Sequence, residues 1–322
     1  MPSSEELETL FNRILDASAA INFPMKLLCM YVIYRHSPKE MGALPIFILN
    51  IFFWNLLANV FGAILHIIPQ FPSMCYRADG PVQFLMKNEY VYHFFFAGTF
   101  TCITNCGLAM SFAFPYRYLV FVHPELVKKV KLKWGIAFCI TLHTLYCSIF
   151  IYYYSSAVLS YDDYPWKEEL PAPGRVFCYW PYGWRKNIVQ VIFFIFTTIS
   201  VLMVSVFSVM LLRSLMKVRE TLGLETIDIH RKYLVYLMII TAVPLIFGGI
   251  PVLICNVCVL FPHIEHCKEA IMICTLILYN HGALYSVVSI VTFKPYLNAV
   301  KRMVTHVFRS EHHTQVLIFV SH

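Results

Sequence analysis

The chain has 322 residues, of which 59% are hydrophobic and 16% aromatic, while only 13% are charged. An ordinary soluble domain carries roughly 25% charged residues, so a water-soluble globular protein is excluded and a polytopic membrane protein is implied. A net charge of +7 with no aromatic and basic binding patch excludes a nucleic-acid partner, and no phosphate loop, Gly-x-Ser-x-Gly or His-Glu-x-x-His signals an enzyme or implies a cofactor.

The opening MPSSEELETLFNRILDASAA is acidic where a secretory leader is positive, so insertion is expected to begin at the first spanning helix, with residues 1 to 14 as a short external segment. A bilayer core takes about 20 mainly apolar residues per helix. Stretches that meet this lie at 15–34, 44–68, 90–114, 134–158, 188–212, 233–260 and 269–293. The expected fold class is therefore all-α: one domain over 1–322, a bundle of seven transmembrane helices with a tail from about 294. The first span is interrupted by Asn22, Pro24 and Lys26, and Lys26 is the only Lys or Arg placed inside any span.

The charges between spans give a direction. Lys and Arg number about sixteen in the segments after spans one, three and five plus the tail, against about eight on the other side. That bias puts the N-terminus outside and the tail in the cytoplasm. Seven spans with an outside N-terminus suit a receptor. A seven-span ligand-gated channel with its N-terminus inside is disfavoured by the same charges, and a solute carrier by the lack of internal repeats.

Polar residues at membrane depth are costly and face the bundle interior. Asn55 and Asn59 on span two, Asn105 on span three, and Asn280 and His281 on span seven lie at comparable depth. They are read as one internal hydrogen-bond network with a structural or switching role. The outer halves of the spans supply pocket candidates: Tyr92, His93 and Phe96, then Gln190 and Phe194, then Asn256, Cys274 and Tyr279. Such a pocket is mostly aromatic and uncharged, which suits a small, neutral or weakly polar ligand. In span six Pro244 and Pro251 bracket Gly248 and Gly249, a pair of hinges where backbone donors are missing.

Eight of the eleven cysteines fall within spans, where a thiol packs as a small hydrophobe. Outside them, Cys75, Cys178 and Cys267 allow three single bridges. The run CNVCVLFPHIEHC (255–267) has zinc-like spacing but sits at the end of an apolar span without polar support, so no metal is assigned. After span seven, Leu297, Val300, Val304 and Val307 alternate with Lys301 and Arg302 as an amphipathic helix against the bilayer.

Two sets of motifs carry a family resemblance. At the end of span three, Arg117, Tyr118, Leu119, Val120, Phe121, Val122, His123 and Pro124 resemble the Arg-Tyr, apolar run and His-Pro of rhodopsin-like receptors, with Tyr116 where those have an acid. Across the chain, YRHSPKEMGALPIFILNIFFWNLLANV (34–60), HIIPQFPSMCYRADGP (66–81), HRKYLVYLMIITAVPLIFGGIPVL (230–253) and YNHGALYSVVSIVTFKPYLNAVKRM (279–303) resemble the nematode serpentine chemoreceptors of the Str superfamily, in the Srh and Sri classes. The resemblance covers about residues 25–303. It implies a G-protein-coupled chemosensory receptor in the plasma membrane of a sensory neuron, with an odorant or pheromone-like small molecule, a heterotrimeric G protein and the lipid bilayer as partners. It places coupling at Arg117, Tyr118, His123, Arg213, Arg219 and Lys232. It also favours a Cys75–Cys178 disulfide, since receptors of this kind tie the top of span three to the loop before span five.

Overall fold

The computed structural model describes residues 4–85, 88–170, 172, 174–217 and 224–305. Among these, seven helices are long and apolar enough to cross a membrane. They are α1 (Ser4–His36), α2 (Leu44–Leu65), α3 (Glu89–Val122), α4 (Leu132–Ala157), α5 (Gly183–Lys217), α6 and α7 (Cys267–Val291), where α6 comprises Leu224–Pro244, a π turn at Leu245–Gly249 and Ile250–Leu260. The protein is thus a multi-pass membrane bundle.

Several helices outrun the spans read from hydropathy. The first begins at Ser4 rather than 15, because Phe11 and Leu15 are buried in a core with Ile68, Met272 and Tyr279. Residues 4–14 therefore continue the first helix instead of forming a separate segment. At 33 residues α1 rises about 50 Å, more than the ~30 Å hydrocarbon core requires. The third helix starts where Asn88 accepts a hydrogen bond from the Tyr90 amide, which satisfies one of the open N-terminal donors. It runs through Pro115 and the Arg117 motif and stops at His123, whose ψ of 55° leaves the helical region as the ring of Pro124 demands.

In α6 the two prolines have a joint effect. Pro251 has no N–H to return to the carbonyl four residues earlier, so the α-helical ladder lapses there. The stretch between Pro244 and Pro251 winds as a π turn, a form that recurs at functional positions in helices.

One end of the bundle carries a feature that hydropathy does not reveal. Four short strands, β1 (Ile67–Pro69), β2 (Cys75–Ala78), β3 (Val158–Leu159) and β4 (Val176–Tyr179), form an antiparallel sheet in the order β1-β2-β4-β3. Cys75 pairs in register with Cys178, and the two are joined as a disulfide. All four residues of β4 are buried. They share a core with Tyr92 and Phe96 of α3, Phe150 and Tyr154 of α4, and Phe196 of α5. Arg77 on β2 donates hydrogen bonds to Asp79 and to Glu8, and Lys268 at the start of α7 also pairs with Glu8. Asp79's hydrogen bond is the main cause that pushes the Arg77 pKa up, so the guanidinium stays charged where α1, the sheet and α7 meet.

At the other end residues 294–305 are helical. The face that packs is Tyr296 and Ala299, with Val300 and Met303 against the same core. Val304, also on the expected apolar stripe, is exposed rather than packed on the bundle. Val307, with residues 306–322, lies outside the described residues.

Candidate functional site

A cavity of about 490 Å³ lies at mid-depth between α2, α3, α5, α6 and α7, within the size range of small-molecule sites. Its walls include Ile103, Met110, Phe193, Phe194, Val204 and Leu278, and the π turn of α6 forms one side. Its polar groups are Asn55, Asn59, Thr99, Thr104, Thr197, Ser200, Ser205, Thr241, Tyr279 and His281, and its lining contains no Asp, Glu, Lys or Arg.

The hydrogen bonds at the α2–α7 side hold one ring between two helices. His281 Nδ1 donates to the Leu278 carbonyl at 2.5 Å, and Nε2 accepts from Asn55 Nδ2 at 3.0 Å. That is the pattern of a neutral imidazole protonated at Nδ1. One turn along α2, Asn59 Nδ2 donates to the Tyr279 carbonyl at 3.0 Å, and Asn22 of α1 donates to the same carbonyl at 3.0 Å. Asn55 Oδ1 is buried without a hydrogen-bond partner, as is Thr241 Oγ1.

Lys26 lies behind this network. Its side chain is fully buried, and its ammonium donates to the Asn55 carbonyl at 3.4 Å. Room for it exists because residue 282 is glycine: a Cβ there would come within 2.4 Å of Lys26 Nζ and of Asn55 Oδ1. The sequence marks Lys26 as the lone Lys or Arg inside a span, but only the packing places it beside Asn55 and His281.

The polar residues expected to form one network divide. Asn105 joins a second histidine, accepting from His143 Nδ1 at 2.5 Å, while Asn50 Nδ2 reaches His143 Nε2 at 3.0 Å. Asn105 Nδ2 also donates to the Thr101 carbonyl and to Cys147 Sγ. Asn280 is exposed and bonds to Ser18 of α1. His143 gave no signal in the sequence, since a single histidine in an apolar span has no partner until α4 is laid against α2 and α3.

Of the pocket candidates, Phe194 and Tyr279 line the cavity. Tyr92, His93 and Phe96 lie instead in the aromatic core under the sheet, where His93 Nδ1 is 3.2 Å from the Tyr154 hydroxyl and Phe96 packs on Tyr76 and Phe177. Asn256 Nδ2 bonds back to the Val252 carbonyl. Gln190 and Cys274 do not line the cavity either. The reason is depth: the sheet and its core fill the outer halves of the spans, so the open space lies deeper. Residues assigned to switching, namely Asn55, Asn59, His281 and Pro244, border it instead. Pro251 is buried beside that wall.

Near the opposite end, Arg117 is buried and its guanidinium stacks 4.8 Å from the centroid of the Tyr233 ring on α6. Tyr116, where rhodopsin-like receptors have an acid, turns away and accepts a hydrogen bond from the Ala43 amide at 2.8 Å. The preceding Gly42 has φ of 60°, and a Cβ there would lie 2.7 Å from that hydroxyl. The Tyr118 ring packs edge-on to Phe207 of α5 at 5.7 Å. His123, Arg213 and Lys232 are exposed, and Arg219 lies outside the described residues. Cys258 and Cys267 share a small core with Ile271, and among the described residues no group of three or more His, Cys, Asp or Glu is placed to hold a metal.

No curated protein matches the chain. The family model described as serpentine type 7TM GPCR chemoreceptor Srh matches residues 6–306, which takes in all seven helices, the sheet, the cavity and the Arg117 segment. The chain therefore belongs to the Srh class of serpentine seven-transmembrane chemoreceptors.

Proposed function

We propose that a small, neutral or weakly polar external molecule occupies the cavity and that the receptor then engages a heterotrimeric G protein at the Arg117 end. The observation that carries this reading is the position of α6. Its π turn walls the cavity, and the same helix presents Tyr233 to Arg117. A ligand that binds better when this helix has moved shifts the population of the two arrangements by its differential affinity. The hinge residues are Pro244 and Pro251, and Asn55, Asn59 and His281 sense the ligand from the opposite wall.

The excess of Lys and Arg supports a cytoplasmic Arg117 end and an external sheet end, and membership of a chemoreceptor family supports the plasma membrane of a sensory neuron as the place. On this reading Arg117, Tyr118, His123, Arg213 and Lys232 line the coupling face, with Arg219 in the segment between α5 and α6. An uncharged lining favours an odorant or pheromone-like ligand.

The test is a G-protein reporter in cells expressing the chain, screened with volatile and pheromone-like compounds. At equal surface amount, Arg117→Ala is expected to lower the response about tenfold, the scale of a typical coupling energy. Normal signalling by that variant removes the coupling role from Arg117. Selective activation by a multiply charged compound overturns the uncharged pocket.

A further inference from the structure

Resting on the reading of this cavity as the ligand site, we propose that its ligand arrives from within the bilayer, through the gap between α5 and α6. The ligand is a long-chain amphiphile with one uncharged, hydrogen-bonding head group.

The route along the bundle axis is filled. Beneath the sheet, Tyr76 lies 5.2 Å from Phe96 and 5.8 Å from Phe177 between ring centroids, and Phe96 lies 5.8 Å from Tyr179. These rings belong to one buried core that closes over the cavity from the disulfide end. A molecule coming that way must displace several packed aromatics, each burying a large apolar area.

The side is different. Helix α5 packs on α3 and α4 but forms no packed seam with either part of α6 among the described residues. Near the sheet end the two are tied by Lys186 Nζ, 3.4 Å from the Leu260 carbonyl. At mid-depth, Leu245, Ile246, Ile250 and Leu253 of α6 line the cavity and are also between 47% and 53% exposed. That exposure is shared between the cavity and, where α5 leaves α6 uncovered, the acyl chains outside, so the same residues wall the cavity and border the gap. Such an opening admits molecules that partition into lipid and bars those that do not.

The lining restricts the head. Its polar groups are hydroxyls and amides, among them Asn59, Thr99, Thr104, Ser200 and Ser205, which suit a neutral head that forms hydrogen bonds. The lack of charged lining residues leaves no counter-ion in the wall for a carboxylate or ammonium head.

Photolabelling tests this in the full chain reconstituted in lipid nanodiscs. The probe is a long-chain primary alcohol with a diazirine in its chain, supplied in the bilayer, with the matching fatty acid as a second arm. Label is expected on the buried residues Asn55 and Thr104 and on the half-buried His281 of the cavity wall. Ile250→Trp and, separately, Ile246→Trp should lower that internal label about tenfold, equivalent to about 1.4 kcal/mol, while Leu202→Trp on the lipid-facing side of α5 leaves it unchanged. Label confined to exposed positions and indifferent to the tryptophans overturns the proposal, and stronger internal labelling by the acid overturns the uncharged head. The labelling does not depend on signalling. A receptor that labels inside but never signals keeps this route and loses the proposed function, whereas activation by a water-soluble ligand with no internal label does the reverse.

Discussion

Helix α3 and helix α5 are nearly equal in length, yet the most apolar stretch of α3 is 56% buried inside the bundle and that of α5 only 17%. The third helix is the central column: α2 and α5 both pack along it, and its polar residues bond inward to α4. The fifth touches α3 and α4 on one side and faces lipid and the cavity on the other. The bundle thus has a close-packed half around α1, α2, α3 and α7, and a looser half where α5 meets α6 across open space. In the close half a small residue is a steric requirement, because interiors are packed to crystal-like density. In the loose half the same residue borders a void, and movement there costs fewer contacts.

Substitutions that break this contrast should rank in a definite order. The largest loss is expected for Gly62→Ala on α2, since the added Cβ would lie 1.0 Å from the Tyr279 hydroxyl and 2.1 Å from its ring carbon. Overpacking of that severity costs about 3 kcal/mol or more, read as loss of surface protein and of a thermal transition in detergent. A normal melting profile would mean that α2 and α7 are not so closely apposed. Next, replacing Cys75 and Cys178 together by serine should cost about 2–4 kcal/mol, measured as a lower melting temperature relative to wild type. An unchanged melting point would show that the sheet holds without its bridge.

Lys26→Met sharpens the comparison in the opposite direction. The amine is buried in the close half with a long hydrogen bond to the Asn55 carbonyl, and an apolar chain of similar length avoids the cost of desolvating it. A gain of about 1 kcal/mol is expected from that removal, seen as a raised melting temperature. A loss instead would assign Lys26 a positive structural role. The smallest effect is predicted for Gly248→Ala in the π turn, whose Cβ would meet only His281 Nε2, at 4.0 Å. Stability should stay within about 0.5 kcal/mol, and a collapse comparable with Gly62→Ala would erase the distinction between the two halves.

The number of helices and the class of the protein were legible because apolar runs of spanning length need no knowledge of their neighbours. The Arg117 segment, the two prolines of α6 and the 279–303 stretch were legible as local strings. The sheet was not: its strands are two to four residues long, shorter than any alternation can establish, and they pair across 103 residues at the disulfide. The pocket candidates followed the outer halves of the spans because hydropathy gives depth but not occupancy. Once the sheet and its aromatic core fill that level, Tyr92, His93 and Phe96 become packing and the cavity falls to Asn55, Asn59, Thr241 and His281.

Taken alone, the sequence determined that this chain crosses a membrane seven times, that its Lys and Arg are unevenly shared between the two sides, and that its motifs are those of a serpentine chemoreceptor. These are properties of short segments, set by transfer of apolar and charged groups between water and lipid. Only the tertiary structure decided which polar atoms meet: Asn55 with His281, Lys26 against Gly282, Arg117 on Tyr233. Each of those contacts depends on the rotation of one helix against another, a quantity that an apolar span facing lipid and protein on different sides does not encode in its composition.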